Sequence, residues 1–263
     1  MHDGLTLPLF QVDAFAARPF EGNPAAVCPL DSWLPDELMQ SIAAENNLSE
    51  TAFVVREGGG YRIRWFTPTT EVDLCGHATL ASAWVLFNRL GAPGDAVHFE
   101  SRSGALGVER DGDRLVLDFP AQIPAPCEVP DALLDSLQRA PIACLRHDDY
   151  VLVFDDENFV REVVPDLHRL AEVDCRGVII TSQAADYDFV ARFFGPRAGV
   201  PEDPVTGSAY TVLAPVWSER LGKASFRARQ VSARGGDVHC ELRGDRVSIA
   251  GNAVCVLEGT LHL

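Results

Sequence analysis

Apolar and polar positions along the chain follow the same order twice. Helix-spaced segments at 34–46 and 158–173 carry apolar residues three or four apart. Each precedes a short β-branched or aromatic run, 51–55 and 177–181. A second strand follows in both halves, ending Arg64-Trp65-Phe66-Thr67-Pro68 in one and Arg192-Phe193-Phe194-Gly195-Pro196 in the other. An acidic loop then leads to a Gly and a run of small and apolar residues, Cys75-Gly76-His77-Ala78-Thr79-Leu80-Ala81 and Thr206-Gly207-Ser208-Ala209-Tyr210-Thr211-Val212. Turn signals at Asp111-Gly112-Asp113 and Arg243-Gly244-Asp245 announce later strands, 114–119 and 246–249.

The runs 78–86 and 209–216 are apolar or small on nearly every face, which predicts helices buried all round inside a curved sheet. The expected class is α+β: two pseudo-symmetric lobes, each a curved, mostly antiparallel sheet wrapped around a central helix. Pro120-Ala121-Gln122-Ile123-Pro124-Ala125-Pro126 is too poor in hydrogen-bond donors for a central strand and marks the boundary. The lobes are expected over 1–118, with a C-terminal strand at about 250–263 returning to it, and over 119–249.

A chain of 263 residues is long enough for two cores. Its 47% hydrophobic and 23% charged residues are ordinary for a soluble globular protein, and no apolar run approaches the roughly 20 residues needed to cross a bilayer. The start, Met1-His2-Asp3-Gly4, is acidic, unlike an export signal. Seven scattered cysteines without a C-x-x-C pair suggest neither a disulfide framework nor a zinc knuckle, so a cytoplasmic location is expected. The formal charge of −16 repels phosphate backbones and anionic membranes, leaving neither nucleic acid nor membrane as an expected partner.

Glu50 sits where a helix gives way to an apolar strand, a partly desolvated place suited to a general acid or base. On the residues alone, a solvated helix-terminal Glu is the commoner reading. His77, at the first helix start, is placed to donate to substrate or transfer a proton. Asp203, just before the second, is placed to orient a substrate group or cap the helix. The duplicated helix starts, facing one another across a cleft, would offer amides to a carboxylate; the plainer reading is two tight turns into core helices. Cys75 corresponds to Thr206 in the second half, too weak an acid for a two-thiol racemase, and reads as a packing residue. His147-Asp148-Asp149 is the only compact metal-like cluster in the sequence pattern and reads as a solvated turn; dinucleotide, P-loop, nucleophile-elbow and zincin motifs are absent, and neither metal nor cofactor is expected.

Several motifs together resemble the PhzF-like phenazine-biosynthesis family, which has the diaminopimelate-epimerase fold. They are Val12-Asp13-Ala14-Phe15, Phe20-Glu21-Gly22-Asn23-Pro24-Ala25-Ala26-Val27, Asn47-Leu48-Ser49-Glu50-Thr51, Phe66-Thr67-Pro68, Cys75-Gly76-His77-Ala78-Thr79, Glu202-Asp203-Pro204-Val205-Thr206-Gly207-Ser208-Ala209 and Val247-Ser248-Ile249-Ala250-Gly251. The resemblance implies a cofactor-independent isomerase, homodimeric, acting on dihydro-hydroxyanthranilate or another small carboxylate-bearing substrate. Glu50 matches the family's catalytic glutamate. His77, Asp203 and Ser208 match its substrate-contacting positions, and Gly76 and Gly207 its amide donors. The Cys75-to-Thr79 form is similar to the broad family rather than to the phenazine enzyme itself. Rival readings are an amino-acid or hydroxy-acid epimerase using Cys75 or His77 opposite Glu50, and a non-catalytic metabolite-binding protein.

Overall fold

The computed structural model describes residues 4–263; the acidic start at residues 1–3 lies outside the described residues. Two compact units make up the chain. One comprises the described residues up to Asp118 with Ala250–Leu263, the other Phe119–Ile249.

In the first unit, β1 (Thr6–Ala14) pairs antiparallel with β2 (Asn23–Leu30) and with the C-terminal strand Ala253–His262. Parallel strands need a crossover; α1 (Asp36–Asn46) supplies it between β2 and β3 (Glu50–Glu57). α1 stops because Asn47 takes the left-handed conformation (φ 48°) and donates its N–H to Ala43 O, leaving the chain free to reverse into β3. β3 turns back as β4 (Gly60–Phe66), which pairs antiparallel with β5 (Glu71–Val72). α2 (Gly76–Asn88) then crosses to β6 (Ala96–Ser101), parallel to β4, and a meander continues through β7 (Gly104–Asp111) and β8 (Arg114–Pro120).

α2 is buried almost all round, from His77 through Ala83 and again over Val85, Leu86 and Phe87. Its Ala78, Ala81, Ala83 and Ser82 are small enough for β1, β2 and β3 to close on it. Leu80 and Leu86, fully shielded from water, contribute roughly 1.5–3 kcal/mol each.

The second unit runs through β9 (Ala125–Pro126), α3 (Asp131–Leu137), β10 (Ala143–Arg146) and β11 (Tyr150–Phe154). A crossover through α4 (Glu157–Glu162) and α5 (Leu167–Glu172) leads to β12 (Val178–Gln183), parallel to β11. β13 (Phe189–Gly195) returns antiparallel and pairs with β14 (Val200–Asp203). The buried α6 (Ala209–Leu221) then crosses to β15 (Ser225–Gln230), parallel to β13, and β16 (Gly236–Arg243) and β17 (Arg246–Gly251) follow. Each unit thus repeats the same order of strands around one shielded helix, an α+β architecture.

The single helix expected over 158–173 is two. Pro165 has no N–H to give an i−4 carbonyl and pushes Val164 out of helical geometry, so α4 ends at Glu162. Asp166 opens α5 anew by accepting from the amides of His168 and Arg169 at 2.9 and 3.2 Å. Among the described residues, no helix is long and apolar enough to cross a membrane.

Candidate active site

Glu50 opens β3 opposite Ala25 of β2, and His77 lies in the first turn of α2 with Cys75 just before it. These two starts bring the side chains together inside the first unit. Glu50 Oε2 lies 3.1 Å from His77 Nε2, with the side chains 17% and 7% exposed. Both atoms are buried, and their contact is too far out of line to be a hydrogen bond, leaving each without a hydrogen-bond partner. Buried polar atoms are nearly always satisfied, so a facing pair of this kind is unusual outside a site that receives a further group.

Asn23 and Cys75 hold the other side of the ring. Asn23 Nδ2 lies 3.4 Å and Cys75 Sγ 3.5 Å from His77 Nδ1, while Ser49 Oγ donates to Asn23 Oδ1 at 3.1 Å. Asn23 is fully buried at the start of β2. The loop before it is tight: Asp13 accepts from Phe20 N–H at 2.8 Å, and Gly22 turns with φ 66°, where a Cβ would lie 2.1 Å from Ala14 O. When the ring is neutral, Nδ1 accepts from Asn23 and the proton sits on Nε2; when it is charged, Cys75 Sγ takes Nδ1–H. In both states Nε2 carries a proton, on the side of the ring where Glu50 lies 3.1 Å away.

Burial alone disfavours a charged His77, but Cys75 and Glu50 beside it hold its pKa well above the ordinary histidine value. Burial, and then the neighbouring Glu50 charge, push the Cys75 thiol upward. The His77 imidazolium is thus sustained by the two groups packed against it, Cys75 and Glu50. Because the folded-state value is raised, stability from this charge is complete below the unfolded value of about 6.5 and declines as pH climbs through the folded one. A proton NMR titration is expected to find His77 titrating above that value in the parent and falling back in Glu50→Gln.

Glu50, Cys75 and His77 each offer one ligand atom, all within 4.8 Å of one another, and among the described residues they form the candidate metal cluster. The raised Cys75 thiol works against the thiolate that a soft metal takes. The reading of His147-Asp148-Asp149 as a solvated turn holds for the exposed His147 and Asp148 and is corrected for Asp149, which is buried and paired through both oxygens with Arg176. Cys75, read as packing alone, also touches the imidazole.

In the second unit, Asp203 ends β14 and accepts from Thr206 Oγ1 at 2.5 Å. Gln230 clamps the same turn, donating to Asp203 O at 2.8 Å and accepting from Thr206 N–H at 2.9 Å. Gly207 and Ser208 follow directly. Ser208 stands at the N-terminus of α6 without capping it through its side chain, and its Oγ accepts from Arg176 Nη1 at 3.2 Å. Asp203, Gly207 and Ser208 thus share one turn, and Gly76 and His77 share another at the start of α2. Sequence reasoning missed Arg176 and Gln230, placed Asp149 only in a solvated turn, and carried Asn23 and Ser49 only as members of motifs without a role.

A family model described as phenazine biosynthesis-like protein, PhzC-PhzF, matches residues 12–259. An uncharacterized isomerase of Pseudomonas aeruginosa is 56% identical over 98% of this chain and all of its own. The crystal structure of a PhzF-family protein from Enterococcus faecalis superposes with a TM-score of 0.97 at 44% identity, covering 98% of this chain and 100% of that one. A hydroxyproline epimerase from Agrobacterium vitis, at 12% identity and a TM-score of 0.63 over 98% of this chain and 93% of its own, shares the fold. With the family model spanning nearly the whole length and a relative more than half identical throughout, this chain belongs to the PhzC-PhzF family of phenazine biosynthesis-like proteins.

Proposed function

We propose that this protein is a cofactor-independent isomerase in which Glu50 takes a proton from one carbon of a small carboxylate-bearing substrate and returns it to another. The observation that carries the reading is the buried Glu50 Oε2 and His77 Nε2, 3.1 Å apart with no hydrogen bond to either. Oε2 makes no hydrogen bond of its own, which leaves it open to a carbon-bound proton of the substrate. His77 keeps Nε2–H turned to the same side, where it donates to the charge that develops on substrate as the proton leaves. Gly76 at the α2 start supplies a backbone amide for a substrate carboxylate. Asp203, Gly207 and Ser208 are retained as proposed substrate contacts on family resemblance, as is a homodimeric assembly. Relatives that are named isomerases support the reaction class.

A panel of small cyclic and acyclic carboxylic acids incubated with the protein in D₂O, followed by NMR, tests this. Movement of hydrogen between two carbons of one acid is expected. Deuterium entry at a retained stereocentre with inversion would instead establish an epimerase, a reading favoured by Cys75 lying against His77 but opposed by the raised thiol. Retention of an acid without chemical change would leave a metabolite-binding protein.

A further inference from the structure

Cys127 and Cys144 take no part in the chemistry above. Cys127 follows β9 directly, and Cys144 lies within β10. The register Ala125 to Arg146 and Pro126 to Leu145 sets Cys127 opposite Cys144, and Cys127 N–H donates to Cys144 O at 3.0 Å. Residues opposed in this way put their side chains on one face with Cα atoms about 5.5 Å apart. That spacing falls inside the roughly 4.4–6.8 Å that a disulfide bridges. Both thiols are free, and their sulfurs lie 3.3 Å apart.

We propose that Cys127 and Cys144 are a paired dithiol that closes to an intrachain disulfide when a small-molecule disulfide oxidant reaches it. Cys127 is the partly exposed member and Cys144 the buried one. Burial, with Cys127 alongside, pushes the Cys144 thiol up to about 12, and its greater exposure makes Cys127 the sulfur that an oxidant reaches first. Its sulfur attacks the oxidant, forming a mixed disulfide and releasing one small thiol. Cys144 then attacks Cys127 Sγ, displaces the second small thiol and gives up its proton. Two protein thiols are oxidised, and one disulfide is reduced to two thiols.

The bond would close a loop containing α3. Leu133 and Leu137 of that helix already pack with Cys144 in the core of the second unit, and Cys127 packs against the same cluster. Closure therefore asks for little rearrangement beyond the approach of two sulfurs. The remaining cysteines show no such pairing; Cys28 and Cys240 are deeply buried with thiols pushed upward by that burial.

Native protein treated with oxidised glutathione, then alkylated in denaturant without reduction and mapped by mass spectrometry, provides the test. A peptide crosslinked through Cys127 and Cys144 is expected, reversed by dithiothreitol and not preferred when the oxidant is applied in urea. Cys144→Ser is expected to trap glutathione on Cys127. Recovery of both cysteines alkylated, or as separate glutathione adducts, overturns the proposal.

Discussion

Glu50→Gln is expected to slow proton transfer by about 10²–10⁴-fold, the range general acid–base catalysis typically supplies, while leaving ligand binding close to the parent. The amide keeps the shape of the carboxyl and still fills the space beside His77 Nε2, 3.1 Å away. What it loses is the ability to accept a proton from carbon. Under the proposed function, binding rests on shape and on the amides and hydroxyls assigned to the substrate, so NMR line broadening of a retained acid tracks it separately from the rate of hydrogen movement in D₂O. Glu50→Asp supplies a graded control: it keeps the charge but withdraws it by about one methylene, and loss from misplacement is expected to fall between parent and Gln. Turnover by Glu50→Gln at the parent rate would remove Glu50 from the chemistry, whatever the fate of His77.

The duplicated order of elements was legible because it rests on periodicity and on side-chain size, which the backbone obeys locally. The runs around Leu80 and Leu213 predicted shielded helices, and both are buried. The break at Pro165 was equally local, but the apolar spacing of 158–173 masked it. The candidate site was legible only in part. Glu50 and His77 lie 27 positions apart, and their contact depends on the packing of α2 against β3, which the parallel register holds in place with Glu50 against Ala25. No pattern along the chain encodes that register. Asn23 and Ser49 enter by the same register, and Arg176, Asp149 and Gln230 by the pairing of strands around α6. Polar residues of this kind look like surface until the sheet is closed.

The repeat also carries a paired device. Arg64 on β4 grips both oxygens of Glu71 on β5 at 2.7 and 2.8 Å, with Phe66 5.2 Å beneath its guanidinium. Arg192 on β13 grips Glu202 on β14 at 2.7 and 3.0 Å, with Phe194 at 4.9 Å. The third partner differs between the units. Arg64 reaches Asp36 at the exposed start of α1, whereas Arg192 donates to Val160 O at 3.3 Å and Val163 O at 2.6 Å. Those two carbonyls lie where the helical ladder fails before Pro165, so the buried arginine satisfies the acceptors that the break exposes.

Arg192→Leu is therefore expected to be among the most destabilising single changes in the second unit. It leaves a largely buried Glu202 carboxylate and two carbonyls without their donors, a loss on the order of 3–5 kcal/mol for a buried charge stripped of its partner. Since Glu202 retains 25% exposure, water recovers part of that, and the lower end of the range applies. Urea denaturation is expected to show a midpoint lower by roughly 1 M or more, and hydrogen exchange should quicken first over α4 and α5. Arg192→Leu with Glu202→Leu should recover part of the loss, because the stranded charge goes with its partner. Arg64→Leu is expected to cost less, since Asp36 can return to water and Glu71 keeps Arg102 as a partner at 2.8 Å. An Arg192→Leu protein that unfolds at the parent urea concentration would show that the α4 carbonyls find other donors and that Arg192 does not hold this junction.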